Sequence, residues 1–169
     1  ELGFALLPLI NDVQGRRLTD QINALRKTLA QEYGFVMPSV RILDNVQMGA
    51  DAYAIRIREM DAGDGRLKMG ALLAMDPTGT GISIPGEAVK EPAFGLDAKW
   101  IDERAREEAS FRGYTVVDPA TVLATHLTEV IKEYMSELLT FAEVKKLIKD
   151  LPKDTQTLLD DVAPSHISW

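Results

Sequence analysis

The pattern that most constrains the fold of this chain is an amphipathic helical one over residues 119–138. Its apolar residues recur every three or four positions and, at about 100° per residue, fall on one side of a helix. Asp118-Pro119 supplies a typical start, because Asp is a favoured N-cap and Pro is tolerated at the first helical position. The apolar stripe consists of Val122, Leu123, Leu127, Val130, Ile131, Tyr134 and Leu138. We therefore expect a helix that packs against a core along one face.

Three more helices are predicted from local signals. Residues 16–33 place Leu18, Ile22, Leu25 and Leu29 on one helix face, and Gly34 provides the stop. Asp97 is interpreted as the N-cap of a helix that runs to about residue 112 and ends at Gly113. Residues 140–143, Thr-Phe-Ala-Glu, form a capping-box pattern that opens a last helix to about residue 151.

Short apolar segments between the helices are predicted as strands at residues 3–10, 40–43, 53–58, 71–75 and 115–117. In the third of these, apolar and polar or small residues alternate, so that one face is buried. Residues 61–65 are interpreted as a turn, and residues 76–86 as a loop that separates a first α/β unit from the rest. The order of elements indicates an α+β fold and not a doubly wound sheet.

The composition excludes several classes of function. The chain has 26 acidic and 19 basic residues and a formal net charge of −7, which disfavours binding to nucleic acid. It has no cysteine, which excludes disulfides and thiolate metal sites and fits a reducing compartment. No apolar run approaches the roughly 20 residues that cross a bilayer, so the segment is expected to be soluble. A start at Glu1 without a methionine leads us to expect a segment of a longer chain.

Motifs of catalysis and cofactor binding are missing from the sequence. Residues 81–86 have the glycine spacing of a phosphate-binding loop, but Glu87-Ala88 stand where that motif needs Lys and Ser or Thr. A carboxylate there would repel a phosphate group. His126 and His166 lie 40 residues apart and outside any metal-binding spacing. We therefore expect no cofactor and no metal site.

His126 is the residue on which an enzymatic function could depend. It lies roughly 75° from the centre of the apolar stripe, at its border, if the helix turns 100° per residue. This position favours a hydrogen-bonded boundary histidine. A hydrolase that uses His126 with a nearby acid is the alternative from another class of function.

Thr125 and Phe94 lie outside the core pattern. Thr125 projects about 180° from the centre of the stripe, which from spacing alone indicates ordinary surface. Phe94 lies in a Pro-Ala-Phe-Gly segment outside any periodic element. An aromatic residue in such a loop either packs into the core, which is the more common case, or lines an exposed pocket.

Several uncommon sequence words occur here in the order of one family. They include LGF and LPL near the start, RKTLAQEYGF at residues 26–35 and RILDN at residues 41–45. Two longer ones are KEPAFGLDAKWI at residues 90–101 and GYTVVDPATVLATHL at residues 113–127. On these words the chain resembles the FlhA family of type III secretion export gates over essentially all of its 169 residues.

The resemblance implies the membrane-proximal part of a cytoplasmic region, held at the bacterial inner membrane by a membrane domain that precedes it. It implies a non-enzymatic docking platform that receives flagellar export chaperones with their bound substrates, alongside other components of the export apparatus. Full-length copies are implied to form a nine-membered ring, whereas this shorter segment is expected to be monomeric or weakly associating. The alternative within the family is the equivalent domain of a virulence secretion gate.

The resemblance also implies a binding site and a domain organisation. Glu91, Phe94 and Thr125 would belong to a hydrophobic dimple that binds the chaperones, with Val117 and Val122 as further walls. In this interpretation an apolar chaperone segment enters at Phe94, while Glu91 and Thr125 make polar contacts at the rim. Residues 1–69 and 119–138 would form a first α/β subdomain, residues 70–118 an inserted second subdomain, and residues 139–169 the start of a truncated helical third.

Overall fold

The computed structural model describes residues 1–11 and 13–150, which form four α-helices, two short 3₁₀ helices and six β-strands. The α-helices are α1 (Pro8–Asn11), α2 (Val13–Tyr33), α3 (Arg106–Phe111) and α4 (Pro119–Lys149). The strands are β1 (Ala52–Ile57), β2 (Met60–Arg66), β3 (Ala71–Met75), β4 (Gly86–Lys90), β5 (Asp97–Asp102) and β6 (Thr115–Val117). The 3₁₀ helices are Phe4–Leu6 and Glu103–Ala105. Helices combined with two antiparallel sheets confirm the predicted α+β class.

The first sheet is a hairpin of β1 and β2, in which Tyr53 lies opposite Gly65. Tyr53 and Ile55 are buried, as the alternation in the sequence predicted. The turn predicted at residues 61–65 is wrong, because these residues belong to β2. The chain reverses instead at Arg58 and Glu59, which both have positive φ, of 52° and 67°. A two-residue turn with this left-handed backbone matches the twist of the strands that it joins.

The second sheet has the strand order β4-β5-β3-β6, and each neighbouring pair is antiparallel. Strands β3 and β6 confirm two predicted segments, and the loop predicted before Gly86 is present. The core against this sheet is a cluster of buried residues from β3, β5, α3 and the loop. Its members are Leu72, Ala74, Ile84, Ile101 and Ala109.

Strand β5 occupies residues that we expected in the first turns of a helix. Ala98 and Trp100 are buried, and the strand is paired on both sides, with β3 and with β4. Helical structure begins only after Asp102, whose carboxylate accepts a hydrogen bond from the backbone N–H of Arg104 at 2.8 Å. The prediction of Asp97 as an N-cap is therefore wrong, because strand partners distant in the sequence override the local capping pattern.

The strand predicted at residues 3–10 is also wrong, since a 3₁₀ helix and α1 form there. Leu6 and Leu9 are fully buried, whereas Phe4 and Ile10 are exposed. A spacing of three residues places the two leucines on the same side of a helical turn, which a strand would not do.

The strand predicted at residues 40–43 does not form. Asp44, which follows it, makes an isolated bridge with Leu2, and Leu2 also bridges Tyr53 of β1. The backbone N–H of Leu2 donates to the carbonyl oxygen of Leu43 at 2.8 Å. The first residues of the chain therefore lie between β1 and the segment around Asp44.

Helix α2 confirms the helix predicted at residues 16–33 and begins slightly earlier. Leu18, Ile22 and Leu29 are buried on one face. Gly34 follows the last residue with a φ of 63°, a left-handed conformation that glycine adopts without a steric penalty.

Helix α4 begins as predicted, because one carboxylate oxygen of Asp118 accepts from the backbone N–H of Thr121 at 2.8 Å. The helix continues without a break to Lys149, so the separate helix predicted from Thr140 is wrong. The Thr140 hydroxyl donates to the carbonyl oxygen of Ser136 at 3.0 Å, a bond made inside a continuous helix.

Most of the predicted stripe on α4 is buried. Val122, Leu123, Leu127, Val130 and Ile131 are buried, Tyr134 and Leu138 are half-buried, and Met135 is buried in addition. The backbone forms two compact units that divide after Thr128. The subdomain boundaries inferred from the resemblance stay predictions. The helix end expected near residue 151 falls two residues beyond the observed end of α4 at Lys149.

Candidate functional site

The candidate site is built around the loop between β4 and β5. The backbone N–H of Glu91 donates to the carbonyl oxygen of Leu96 at 2.7 Å, and the N–H of Gly95 donates to the carbonyl oxygen of Glu91 at 2.8 Å. Gly95 has a φ of 69°, a conformation that other residues adopt only with strain. The loop is therefore a closed turn fixed by its own backbone.

The Glu91 side chain folds back into this turn. It is only 3% exposed. One carboxylate oxygen accepts from the backbone N–H of Ala93 and the other from that of Phe94, both at 2.8 Å. We had expected Glu91 at the rim, in contact with a partner, but it lies under the surface with both oxygens bonded within the loop.

Phe94 lies on the outside of the loop. Its side chain is 57% exposed, and Leu96 two positions later is 53% exposed. Of the two alternatives that the sequence left open for Phe94, packing into the core does not occur. The loop therefore exposes two large apolar side chains to solvent. Hydrogen bonds within the loop hold the turn that carries them.

The other predicted site residues come from β6 and α4. Thr125 is half-buried, less exposed than the ordinary surface position that its spacing on α4 indicated. Val117 is half-buried at the end of β6, whereas Val122 is 2% exposed and lies under the surface. Their participation in one pocket with Phe94 stays a prediction.

An electrostatic link relates the Glu91 loop to α4. Burial lowers the pKa of His126, and the nearby charge of Glu91 acts in the opposite direction. His126 directly follows Thr125 in the chain.

His126 has a partner that the sequence did not reveal. The Tyr53 hydroxyl lies 2.6 Å from Nδ1 of His126, and the two rings meet edge to face with centroids 5.6 Å apart. Burial raises the pKa of Tyr53 and lowers that of His126, so that both groups are favoured in their neutral forms. A separation of 73 residues left no local signal for this pair.

In the part of the chain that the structure describes, no group of three or more His, Asp or Glu side chains is arranged to hold a metal ion. None of the helices within residues 1–11 and 13–150 is both long enough and apolar enough to span a membrane.

Comparisons with known proteins agree on a family and on a fold. The sequence pattern of the FHIPEP family matches residues 1–169. The flagellar biosynthesis protein FlhA of Caulobacter vibrioides is 62% identical over 168 residues, which make up 99% of this chain and 24% of that protein. The chain spans about a quarter of the length of its FlhA relatives.

Solved structures share the fold at low sequence identity. Chlamydia pneumoniae CdsV superposes with a TM-score of 0.67 at 23% identity, over 88% of this chain and 45% of that one. CdsV has also been solved in a complex with CdsO. A cytoplasmic domain of Salmonella InvA superposes with a TM-score of 0.56 at 14% identity, over 89% of this chain and 90% of that domain.

Proposed function

The chain belongs to the FHIPEP family, and on that premise we propose that it is a docking platform of the flagellar type III protein export gate. It receives export chaperones together with their bound substrates, at the cytoplasmic face of the bacterial inner membrane. The identity to a flagellar FlhA is far higher than the identity to CdsV or InvA, which favours the flagellar gate over a virulence gate.

The proposed partners are proteins. Export chaperones bind this segment, other components of the export apparatus bind the full-length protein, and full-length copies assemble into a nine-membered ring. The solved complex of CdsV with CdsO supports binding to other components of the export apparatus. The net charge of −7 disfavours nucleic acid as a partner.

The exposed ring of Phe94 is the observation that carries this proposal. Large aromatic side chains are frequent energetic centres of protein interfaces, because one ring removes a large apolar area from water when a partner covers it. Phe94 is exposed in a turn that its own hydrogen bonds hold in place, so little conformational entropy is lost when a partner packs on it.

Recognition, in this proposal, proceeds by packing of an apolar chaperone segment on Phe94. Thr125 supplies a polar contact at the edge of the dimple, half-buried Val117 extends its wall, and Val122 underlies it. Glu91 belongs to the same site through the turn that carries Phe94. Chaperone binding needs no cofactor and no bond-making step.

A hydrolase that uses His126 is the weaker candidate. A histidine base of that kind is oriented by a carboxylate at Nδ1, whereas Nδ1 of His126 is bonded to the Tyr53 phenol. Turnover of simple esters or nucleotides that disappears in His126→Ala, with the fold intact, would favour the hydrolase.

Isothermal titration calorimetry with a flagellar export chaperone, with and without its substrate, tests the docking proposal. Phe94→Ala should weaken binding by on the order of 2 kcal/mol or more, about 30-fold in Kd, while the melting temperature changes little.

Phe111→Ala is the matched control, because Phe111 is 93% exposed on α3, outside the Phe94 loop, and should leave the affinity unchanged. Equal affinities of wild type and Phe94→Ala would contradict the proposal. So would a large loss of melting temperature in Phe94→Ala without a loss of affinity.

A further inference from the structure

Glu91 stands out among the buried groups of the described residues. It is one of three polar or charged side chains that are buried there, together with Asp118 and His126. Asp118 pairs with Arg17, whereas none of the ion pairs formed by residues 1–11 and 13–150 includes Glu91. A buried carboxylate without a cation is costly unless hydrogen bonds satisfy it.

The groups that satisfy Glu91 all lie in its own loop. Its two carboxylate oxygens accept from the N–H groups of Ala93 and Phe94, two and three positions ahead. Its backbone N–H and carbonyl group bond to Leu96 and Gly95. All four hydrogen bonds thus close within residues 91–96.

This arrangement fixes Phe94 in particular. The N–H of Phe94 points inward to the buried carboxylate, while the ring of the same residue is 57% exposed. A loop without this bond could turn the apolar ring toward the protein interior, as free apolar side chains in loops commonly do. The carboxylate therefore opposes collapse of the ring onto the core.

We propose that Glu91 is a positioning residue for recognition, and that its buried carboxylate acts through the backbone of residues 93 and 94 to hold the Phe94 ring outward. The proposal rests on the docking function proposed above. It differs from a direct rim contact, because a side chain that is 3% exposed, with both oxygens already bonded, offers a partner little surface.

Two variants separate positioning from direct contact. Glu91→Gln keeps the size of the side chain but replaces one acceptor oxygen by an NH₂ group, which faces an N–H donor and cannot bond to it. Glu91→Asp keeps two acceptor oxygens, and Asp side chains commonly accept from the N–H groups two and three positions ahead.

Amide hydrogen exchange by NMR and chaperone affinity by calorimetry are measured on wild type and both variants. In the wild type the amides of Ala93 and Phe94 should be protected although the Phe94 side chain is exposed. In Glu91→Gln their exchange should be about 10-fold faster and the affinity about 10-fold lower, as expected for one charge-assisted hydrogen bond. Glu91→Asp should restore most of the amide protection and most of the chaperone affinity.

The outcomes against the proposal are distinct. Unprotected Ala93 and Phe94 amides in the wild type would overturn it without any variant. A loss of affinity in Glu91→Gln with unchanged amide protection would show a direct contact with the partner instead. Faster exchange with unchanged affinity would show that the turn does not matter for binding.

Failure of the docking function itself has another signature. In that case the wild type does not bind the chaperone, or Phe94→Ala binds as well as the wild type. The exchange rates of the Ala93 and Phe94 amides would still report whether Glu91 holds the turn, so the two failures can be told apart.

Discussion

Replacing Gly65 by alanine should destabilise the protein, although alanine normally suits a strand better than glycine does. In β2, Gly65 lies opposite Tyr53, and the Tyr53 ring packs over its backbone. A Cβ atom added at Gly65 would lie 2.5 Å from the Tyr53 hydroxyl oxygen and 2.7 and 2.8 Å from two ring carbons. Ordinary contact begins at 3.4 Å, so the ring must move by roughly 0.6 to 0.9 Å.

The ring has little freedom to make this movement. Tyr53 is 1% exposed, and its hydroxyl is 2.6 Å from Nδ1 of His126. Overpacking of this kind costs about 1–3 kcal/mol, and a weakened hydrogen bond to His126 adds about 1 kcal/mol. The gain from replacing glycine offsets about 0.5–1 kcal/mol. The free energy of unfolding should therefore fall by about 1–3 kcal/mol.

Urea denaturation followed by circular dichroism measures this loss. Gly49→Ala is the control, because its Cβ would meet only Ala52, at an ordinary 3.5 Å, and should change stability by less than about 0.5 kcal/mol. In a Tyr53→Phe background the closest contact and the bond to His126 are absent, so Gly65→Ala should cost less there. Equal costs of Gly65→Ala in both backgrounds, or equal losses at Gly65 and Gly49, would refute the reasoning.

Three further outcomes are expected. Leu123→Ala should lower the free energy of unfolding by about 2–5 kcal/mol in urea melts, because Leu123 is buried. Thr125→Ala, at a half-buried position, should lower it by less than about 0.5 kcal/mol. Equal losses for the two variants would contradict the assignment of the buried face of α4. Asp118→Ala should cost about 1–2 kcal/mol through the lost cap to Thr121, in addition to the lost pair with Arg17, and Asp118→Asn should recover the cap contribution in thermal melts. Burial lowers the pKa of His126, so that on acidification this histidine is protonated in the unfolded chain before it is protonated in the folded one. The free energy of unfolding should therefore fall as the pH drops below about 6.5, and its dependence on pH should be weaker in His126→Asn.

The helices were predictable where their signals are local. The start of α4 depends on Asp118 and Pro119, which adjoin the first turn, and the end of α2 depends on Gly34. Both were read correctly because a cap and its helix lie within a few residues of each other. The break predicted at Thr140 failed, since a capping pattern inside a long apolar helix competes with an uninterrupted backbone ladder.

Strands were predictable only where apolar residues are dense or alternate, as in β3 and β1. Strand β5 begins with a residue that resembles an N-cap, and what makes it a strand is the pairing with β4 and β3 on either side. The three-residue spacing of Leu6 and Leu9 was the signal, present but missed, that residues 3–10 are helical.

At the candidate site the exposure of Phe94 could not be predicted from its residues. Aromatic residues in loops are more often packed into the core, whereas this ring is exposed. The burial of Glu91 depends on a turn whose shape is set by Gly95 and by bonds to backbone N–H groups, which a residue pattern does not display. The Tyr53 partner of His126 is brought in by the tertiary fold alone.

The hairpin turn between β1 and β2 has a consequence for the tolerance of this protein to change. Arg58 and Glu59 are both exposed and both left-handed, a conformation that costs on the order of 1 kcal/mol for residues other than glycine, and Asn-Gly is the pair that such turns prefer. The two turn residues therefore lower the stability of the protein at an exposed position. An Asn-Gly turn at these two positions would raise the melting temperature and give later substitutions in the binding loop more room before the fold fails.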